Sequence, residues 1–305
     1  MKFLVTGGAG FIASHVVDKL IDEGHEVVII DNLSSGKKKN LNPKAKFYKI
    51  DIRDKKIENI FKKEKPDIVN HHAAQLDVRV SVDRPEYDAD INLMGLLNVL
   101  NNCVKYNVKK IIYVSSGGVV YGDNQNFPLK EDEPKAPISP YGITKWTGEM
   151  YLQFYSNIHK LKYTALRYSN VYGPRQDPHG EAGVVAIFSR KMINNEDIVI
   201  FGDGTQSRDF VFVKDVVNAN ILSINNGDNE AFNIGTSETT SVNKLFKILK
   251  SISGFKKDKE NTPSRPGELQ KNCISNKKAK KLLGWKPTYS LEEGLKITFD
   301  WIKEN

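Results

Sequence analysis

Tyr141 precedes Lys145 by four residues in the segment Ser-Pro-Tyr-Gly-Ile-Thr-Lys. Because an α-helix completes a turn in about 3.6 residues, the two side chains are expected on one helix face, one turn apart. An ammonium at that distance favours a phenolate over a phenol, which lowers the tyrosine pKa from its usual value of about 10. Surface residues also show this spacing by chance, so the pair predicts an acid–base group only if a cofactor site accompanies it.

A glycine-rich loop follows the first predicted strand, residues 2–5. Gly7, Gly10 and Ala13 stand where the backbone must turn tightly, approach a pyrophosphate and pack a helix against a strand. A loop of this kind between a first strand and a first helix predicts a dinucleotide site. Together with the Tyr–Lys pair it predicts hydride chemistry on the bound dinucleotide.

Two aspartates at strand ends favour NAD as that dinucleotide. Asp31 ends the second predicted strand, where a carboxylate accepts hydrogen bonds from ribose hydroxyls and repels the 2′-phosphate of NADP. The lysines at 37–39 weaken this preference. Asp51 ends the third predicted strand and is placed to reach the adenine. Either aspartate could instead be a turn residue at the end of its strand.

Strands and helices alternate through the first half of the chain. Predicted strands lie at 2–5, 26–30, 46–50, 67–71, 110–115 and 163–167, and the predicted helices include 11–23, 87–106 and 141–160. This alternation, with apolar strands, predicts an α/β fold: a Rossmann-type, doubly wound parallel sheet with a smaller C-terminal α/β substrate lobe. We expect an NAD-binding Rossmann domain at 1–170, to which 210–235 returns, and a mainly substrate-binding lobe at 171–305.

The composition is that of a globular protein without a nucleic-acid or membrane partner. The net charge is +8, but lysines occur in small groups with acidic residues between them, and no basic stripe with interleaved aromatic residues is present. No apolar run approaches the length of a membrane span, and the chain enters a predicted strand at once, so we expect no signal peptide and a cytoplasmic location. Cys103 and Cys273 match no metal-ligand spacing, so no metal is expected.

At this point the sequence resembles the extended short-chain dehydrogenase/reductase family, and within it the UDP-glucose 4-epimerase-like sugar-nucleotide enzymes. The resemblance runs nearly end to end and rests on a set of short motifs. These are Thr6-Gly7-Gly8-Ala9-Gly10-Phe11-Ile12, Asp31-Asn32-Leu33, Asp51-Ile52-Arg53-Asp54, His72-Ala73-Ala74-Gln75, Asn92 with Gly95, Ser115-Ser116, Val120-Tyr121-Gly122, Tyr141 with Lys145, the segment 166–175, Gly202-Asp203-Gly204, Arg208-Asp209-Phe210-Val211 and Arg265-Pro266-Gly267-Glu268.

The resemblance implies which residues contact NAD and the substrate. The implied NAD contacts are Gly7, Gly10, Phe11, Ile12, Asp31, Asn32, Leu33, Ser34, Ser35, Gly36, Asp51, Ile52, His72, Ala73, Ala74, Gln75, Asn92, Ser115, Tyr141, Lys145, Tyr168 and Ser169. Asn170, Arg208 and Arg265 would hold the UDP part of the substrate. The two arginines also make independent sense, since only 8 of the 45 basic residues are arginines and a planar guanidinium suits a diphosphate. The rival interpretation of each is a surface ion pair.

The catalytic hydroxyl is the main departure from the family pattern. Counting back from Tyr121, the usual Ser/Thr position falls on Gly117, whereas counting back from Tyr141 makes Ser116 the better candidate. We expect Ser116 to be catalytic and to contact the substrate beside Tyr141, and the alternatives are Ser115 or neither serine.

The reaction implied by the resemblance is inversion at C4 of a UDP-hexose, the interconversion of UDP-glucose and UDP-galactose, through a 4-keto sugar. UDP-GlcNAc and UDP-glucuronate remain open as substrates, the former because Asn272 is not large at a position that limits the C2 substituent in the family. A 4,6-dehydratase lacks support, because Gly117-Gly118 replace its acidic pair. A non-catalytic NAD-binding sensor is the alternative from another class. The resemblance also implies a homodimer formed through helices around 93–104 and 146–155.

Overall fold

The computed structural model describes residues 1–178, 183–264 and 269–305. Within these ranges the strands are β1 (Lys2–Thr6), β2 (Glu26–Asp31), β3 (Lys46–Lys49), β4 (Ile68–His71), β5 (Lys110–Ser116), β6 (Lys162–Tyr168), β7 (Asn170–Tyr172), β8 (Ile198–Phe201), β9 (Ser207–Arg208), β10 (Phe210–Phe212), β11 (Glu230–Ile234), β12 (Thr240–Ser241), β13 (Lys259–Thr262) and β14 (Lys271–Asn272).

The helices connect these strands. They are α1 (Phe11–Asp22), α2 (Ile57–Glu64), α3 (Val78–Asp83), α4 (Pro85–Ala89), α5 (Leu96–Lys105), α6 (Pro140–His159), α7 (Val184–Ile193), α8 (Val213–Leu222), α9 (Val242–Ser253), α10 (Lys277–Leu282) and α11 (Leu291–Glu304), with a 3₁₀ turn at Lys38–Asn40 and a π-helix at Asp90–Gly95. In these ranges no helix combines the length and the apolar character needed to cross a lipid bilayer.

Seven parallel strands form the central sheet in the order β11-β6-β5-β4-β1-β2-β3. The chain winds outward in one direction from β1 and in the other from β4, so the switch point lies between these two neighbours. One face of the sheet packs on α1 and α8, and the other packs on α2, α5 and α6. The predicted doubly wound parallel sheet is therefore confirmed, and its switch point is where such folds bind ligands.

The later part of the chain is built from short sheets around a separate apolar cluster. β10 pairs with β7, β9 lies between β12 and β14, and β13 pairs with β8. The cluster draws its buried side chains mainly from α7, α9 and α11. In contrast, β11 lies at the edge of the central sheet beside β6. The domain boundaries themselves stay a prediction.

The helix predicted at 87–106 is the main difference in secondary structure. The structure divides this stretch into α4, the π-helix at Asp90–Gly95 and α5. A π-helix widens the backbone turn, and such turns are frequent at functional sites. Sequence periodicity did not reveal it, because one widened turn changes the apolar pattern very little.

Candidate active site

Tyr141 and Lys145 lie in the first turns of α6, which packs against β5. Ser139 caps this helix by accepting a hydrogen bond from the Gly142 N–H at 3.2 Å, and Pro140 occupies the first helical position. The predicted spacing places Lys145 Nζ 5.7 Å from the centre of the Tyr141 ring. The structure thus brings the two predicted catalytic residues together.

Lys145 is a buried amine. Its Nζ donates to the carbonyl oxygen of Val114 in β5 at 3.0 Å and lies 5.3 Å from the centre of the Tyr113 ring. Burial lowers the pKa of Lys145 to about 8, against the opposing influence of the carboxylates of Asp88 and Glu149. An amine that titrates this close to neutrality responds readily to the charges around it.

The serines at the end of β5 point to opposite faces of the sheet, as alternation along a strand requires. Ser115 is buried, and its Oγ donates to Glu149 Oε1 at 2.5 Å. Ser116 is only half-buried. A Cβ at Gly117 would stand 2.7 Å from Ile274 Cδ1 and 3.3 Å from the carbonyl oxygen of Arg167. Position 117 is therefore crowded for a side chain, and Ser116 is the serine whose hydroxyl is not committed to Glu149.

The glycine loop forms a backbone cradle at the carboxyl end of β1. Gly7 has a φ of +71°, and a Cβ there would lie 2.8 Å from the backbone nitrogen of Ala73. Gly10 begins α1 with no side-chain cap, and the first turn of α1 carries no acidic residue. The first N–H groups of α1, which include those of Phe11 and Ile12, are thus left for an anion.

The predicted adenosine-binding residues line the ends of β2 and β3. Asp31 is buried, and its carboxylate accepts from the Ala9 N–H at 3.0 Å and the Leu33 N–H at 2.7 Å. Asn32 Nδ2 donates to Asp51 at 2.8 Å. Ser34 and Ser35 are exposed in the following loop, whereas Gly36 packs closely against the Asp31 carboxylate.

The Asp51 carboxylate is already bonded to a side chain of its own loop. The Arg53 guanidinium contacts both carboxylate oxygens of Asp51 at 2.9 Å and lowers the pKa of Asp51 to about 2. Ile52 is buried between them and packs in the sheet core. The loop after β3 thus contains an ion pair, between Asp51 and Arg53, that the sequence analysis did not identify.

The segment 72–75 follows β4 and lies beside the glycine loop. The Ala73 N–H donates to Thr6 Oγ1 at 3.1 Å, and Ala74 follows it directly. The Asn92 side chain forms two hydrogen bonds with the backbone of Gln75. Its Oδ1 accepts the Gln75 N–H at 2.9 Å, and its Nδ2 donates to the Gln75 carbonyl at 3.0 Å. Asn92 thus holds the backbone at Gln75 in place, in the segment 72–75 that is predicted to contact NAD.

His72 is a neutral imidazole in this region. Burial lowers the pKa of His72 to about 3. Its ring lies 6.5 Å from that of Tyr168, and within the described residues its Nε2 is buried without a hydrogen-bond partner. The hydroxyl of Tyr168 accepts a hydrogen bond from Asn220 at 2.7 Å, and burial raises the pKa of Tyr168.

Two of the predicted substrate residues, Asn170 and Arg208, lie beside the buried Asp209. The Asp209 carbonyl accepts the Asn170 N–H at 3.0 Å and the Ser169 hydroxyl at 2.7 Å. The Asp209 carboxylate accepts from Thr236 at 2.7 and 2.8 Å, and burial raises the pKa of Asp209 to about 6. Asp209 therefore connects β7, β10 and the 236–237 turn, and it holds exposed Asn170 at the edge of the site.

Arg208 is half-buried in β9, next to Asp209. Its Nη1 donates to its neighbour's carbonyl, Ser207 O, at 2.9 Å and approaches Gln270 O at 3.5 Å. Gln270 also lines a cleft of about 330 Å³ together with Phe201, Gly202, Asp203, Gln206 and Ser264. Arg265 lies outside the described residues. Asn272 is buried, and its Nδ2 donates to the Gly117 carbonyl at 3.3 Å.

A buried ion pair links α6 to β6 and was not identified from the sequence. Glu149 accepts from Arg167 at 2.7 and 2.9 Å, and Arg167 also donates to the hydroxyl of Tyr121 at 2.8 Å. A signal was available, since Glu149 continues the four-residue spacing of Tyr141 and Lys145. The signal for Arg167 was only its place in a motif. In the described ranges no cluster of three or more His, Cys, Asp or Glu residues could hold a metal ion.

The residues present fit a dinucleotide. The cradle at Gly7 excludes a side chain, the uncapped start of α1 offers N–H groups, and buried Asp31 stands at the end of the neighbouring strand. A doubly wound sheet with this loop at its switch point and a Tyr–Lys helix beside β5 defines an enzyme of the extended short-chain dehydrogenase/reductase class.

Comparison with known proteins identifies the family within that class. A model of the NAD dependent epimerase/dehydratase family matches residues 3–235. The chain belongs to this family, which confirms the resemblance seen in the sequence and the dependence on NAD.

Three relatives are similar to the chain along almost its whole length. A putative UDP-glucose 4-epimerase of Methanocaldococcus jannaschii is 49% identical and covers 99% of this chain and 98% of its own. A crystal structure of the Thermotoga maritima UDP-glucose 4-epimerase with UDP-glucose is 54% identical, with a TM-score of 0.99, and covers 100% of this chain and 99% of its own. That of the Thermus thermophilus UDP-glucose 4-epimerase in complex with NAD is 40% identical, with a TM-score of 0.94, and covers 99% of both chains.

Replacing Arg167 by Met tests the buried ion pair. We expect the free energy of unfolding to fall by about 3–5 kcal/mol, because Glu149 would remain charged and buried without its partner. The matched control is Lys109→Met, which breaks the exposed pair with Asp67 and should cost no more than about 1 kcal/mol. Urea denaturation measures both, and equal losses would contradict the assignment.

Proposed function

We propose that the protein is a UDP-glucose 4-epimerase, an isomerase that interconverts UDP-glucose and UDP-galactose in cytoplasmic galactose metabolism. The observation that carries this proposal is the Tyr141 ring 5.7 Å from the buried Lys145 amine, at the sheet edge that holds the glycine loop. The activities named for the three relatives support the choice of substrate.

Tyr141 is the acid–base residue of this reaction. As a phenolate it accepts the proton from O4 of the hexose, and as a phenol it returns a proton to O4 in the second half of the cycle. Lys145, held in charged form, stabilises the phenolate because opposite charges attract strongly where water is excluded. NAD, when bound, would supply the redox chemistry as the acceptor and then the donor of the C4 hydride, so that no outside oxidant or reductant would be needed.

Ser116 supplies the hydroxyl that orients or relays the O4 proton. Its half-buried position supports this role, as does the crowding that a side chain would meet at Gly117. Ser115 has a different task, because its hydroxyl binds Glu149 on the other face of β5.

The remaining predicted residues hold the two ligands. The cradle of Gly7 and Gly10 with the start of α1 binds the pyrophosphate of NAD, and Asp31 binds a ribose. Asn170 and Arg208, with Arg265, bind the UDP part of the substrate. Arg208 is suited to a diphosphate because its planar guanidinium can donate two parallel hydrogen bonds.

Conversion of UDP-galactose by the purified protein tests the proposal, with the products separated by chromatography. Tyr141→Phe should lower kcat by about 10²- to 10⁴-fold, since it removes the group that exchanges the proton. Tyr289→Phe, which makes the same change at a tyrosine outside the predicted NAD, substrate and dimer residues, is the matched control and should keep its activity.

The same assay discriminates among the alternatives. Faster conversion of UDP-GlcNAc or UDP-glucuronate would transfer the proposal to that substrate. Bound NAD with no turnover of any UDP-sugar would favour a non-catalytic NAD-binding protein. Full activity of the Tyr141→Phe variant would eliminate Tyr141 as the base.

Alanine substitution separates the two serines. Ser116→Ala should lower kcat roughly tenfold or more while the melting temperature stays close to that of the parent protein. Ser115→Ala should lower the melting temperature and leave kcat close to that of the parent protein, because Glu149 loses a buried hydrogen bond worth about 1 kcal/mol. Steady-state kinetics and thermal melting decide the matter, and a larger kcat loss in Ser115→Ala would reverse the assignment.

We further propose a homodimer formed through α6. Ile143, Met150, Phe154 and Ile158 are 46–61% exposed and share one helix face. A groove of about 360 Å³ runs between Thr147, Met150, Tyr151 and Phe154. Because these side chains are already about half-buried, covering each one contributes about half of the roughly 1.5–3 kcal/mol of full burial, and together they favour association with a second copy.

Phe154→Asp should convert the dimer to a monomer, because a carboxylate in the covered face would lose its hydration. Leu282→Asp changes an apolar side chain of similar exposure on α10 and should leave the dimer intact. Analytical ultracentrifugation gives the mass of each species. A monomeric parent protein at micromolar concentration would refute the proposal.

A further inference from the structure

Asp88 is a fully buried carboxylate at the junction of three elements near the catalytic pair. It lies in α4, immediately before the π-helix. Its Oδ2 accepts the Thr144 hydroxyl at 2.7 Å, and its Oδ1 accepts from Gln75 Nε2 at 2.9 Å and Asn92 Nδ2 at 3.1 Å. These bonds link α6, the segment 72–75 and the π-helix to Asp88.

The charge of Asp88 is the unusual feature. All three of its side-chain donors are neutral, and within the described ranges Asp88 forms no ion pair. Neutral donors only partly replace the hydration that a carboxylate loses on burial. A carboxylate in this position therefore needs a buried positive charge nearby.

Lys145 is that charge. It directly follows Thr144, which contacts Asp88, and it too forms no ion pair within residues 1–178, 183–264 and 269–305. Two opposite charges in a dry interior attract even without contact, because the effective dielectric constant is low.

The other titratable groups around Lys145 do not meet this need. Tyr113 of β5 and Tyr141 of α6 lie under its amine, while His71 and His72 at the end of β4 are neutral because burial lowers the pKa of each to about 3. Glu149 is the other carboxylate that acts on Lys145, but it is already neutralised by direct contact with Arg167.

We propose that Asp88 is a positioning residue for the Tyr141–Lys145 pair: its buried carboxylate braces the start of α6 and supplies the negative charge that keeps the Lys145 amine protonated. The proposal rests on the function proposed above, because it assigns Lys145 a role that requires its charge. It adds a residue outside the Tyr-x-x-x-Lys motif whose effect is electrostatic.

Asp88→Asn removes the charge and can keep the hydrogen bonds. The Asn carbonyl can accept from Gln75 and Asn92, and its NH₂ can donate to Thr144. The Thr144 hydroxyl can then donate to the carbonyl of Tyr141, from which it lies 3.1 Å away. A purely structural role would therefore survive this substitution.

The pH dependence of kcat is the first readout. Removing the negative charge disfavours the ammonium form of Lys145, so the alkaline limb of the profile should move to lower pH by about half a unit or more. Glu86→Gln, the same chemical change at an exposed position of α4, should leave the profile unchanged. An unchanged alkaline limb in Asp88→Asn would overturn the proposal.

A double-mutant cycle with Lys145→Met gives a second readout that needs no activity. If the two buried charges compensate each other, the double variant should melt higher than the sum of the two single losses predicts. If Asp88→Asn alone fails to fold, recovery of cooperative melting in the double variant supports the proposal, and no recovery refutes it. Additive losses also refute it.

The two readouts separate the proposal from the function on which it rests. A parent protein that binds NAD but converts no UDP-sugar would refute the function, while the cycle would still report the coupling of the two charges. A different set of results would refute only the role of Asp88. In that case the parent protein would be active and Tyr141→Phe inactive, but Asp88→Asn would leave the alkaline limb unshifted and the stability losses in the double-mutant cycle would be additive.

Discussion

The burial of the Lys145 amine beside Tyr141, the proposed acid–base residue, is the constraint on which the rest of the site depends. A charge is useful to Tyr141 only where water is excluded, yet exclusion of water itself favours the neutral amine. Lys145 is held at the balance of these effects, with a pKa of about 8. The surrounding structure must therefore supply negative charge without supplying a carboxylate that would quench the lysine by direct contact.

The parallel sheet provides the frame for that arrangement. It brings the glycine loop after β1, the segment 72–75 after β4 and the serines of β5 to the same edge. α6 packs against β5, so a helix start determined by Ser139 and Pro140 also determines how deep Lys145 lies. Architecture and electrostatics are thus connected through one helix.

Buried polar networks hold this edge rigid. Glu149 and Arg167 neutralise each other beside β5, and Asp209 binds the Ser169 hydroxyl and the Asn170 N–H through its carbonyl oxygen. A buried polar group without its hydrogen-bond partner would lower the free energy of unfolding, so each network requires one local geometry. The geometry of the site therefore depends on residues outside the set predicted to bind NAD or the substrate.

Local spacing in the sequence determined the strand–helix alternation, the glycine loop and the Tyr141–Lys145 pair, because the backbone periods of strands and helices are short-range properties. Only the tertiary structure distinguishes the surroundings of Ser115 and Ser116, since it places Glu149 against the Ser115 hydroxyl and Ile274, which lies far along the chain, beside Gly117. Likewise, Glu86, Asp88 and Asp90 look alike in sequence, and only packing against Thr144 buries the middle one. Burial and charge pairing are set by contacts between distant segments, and such contacts leave no period in the sequence.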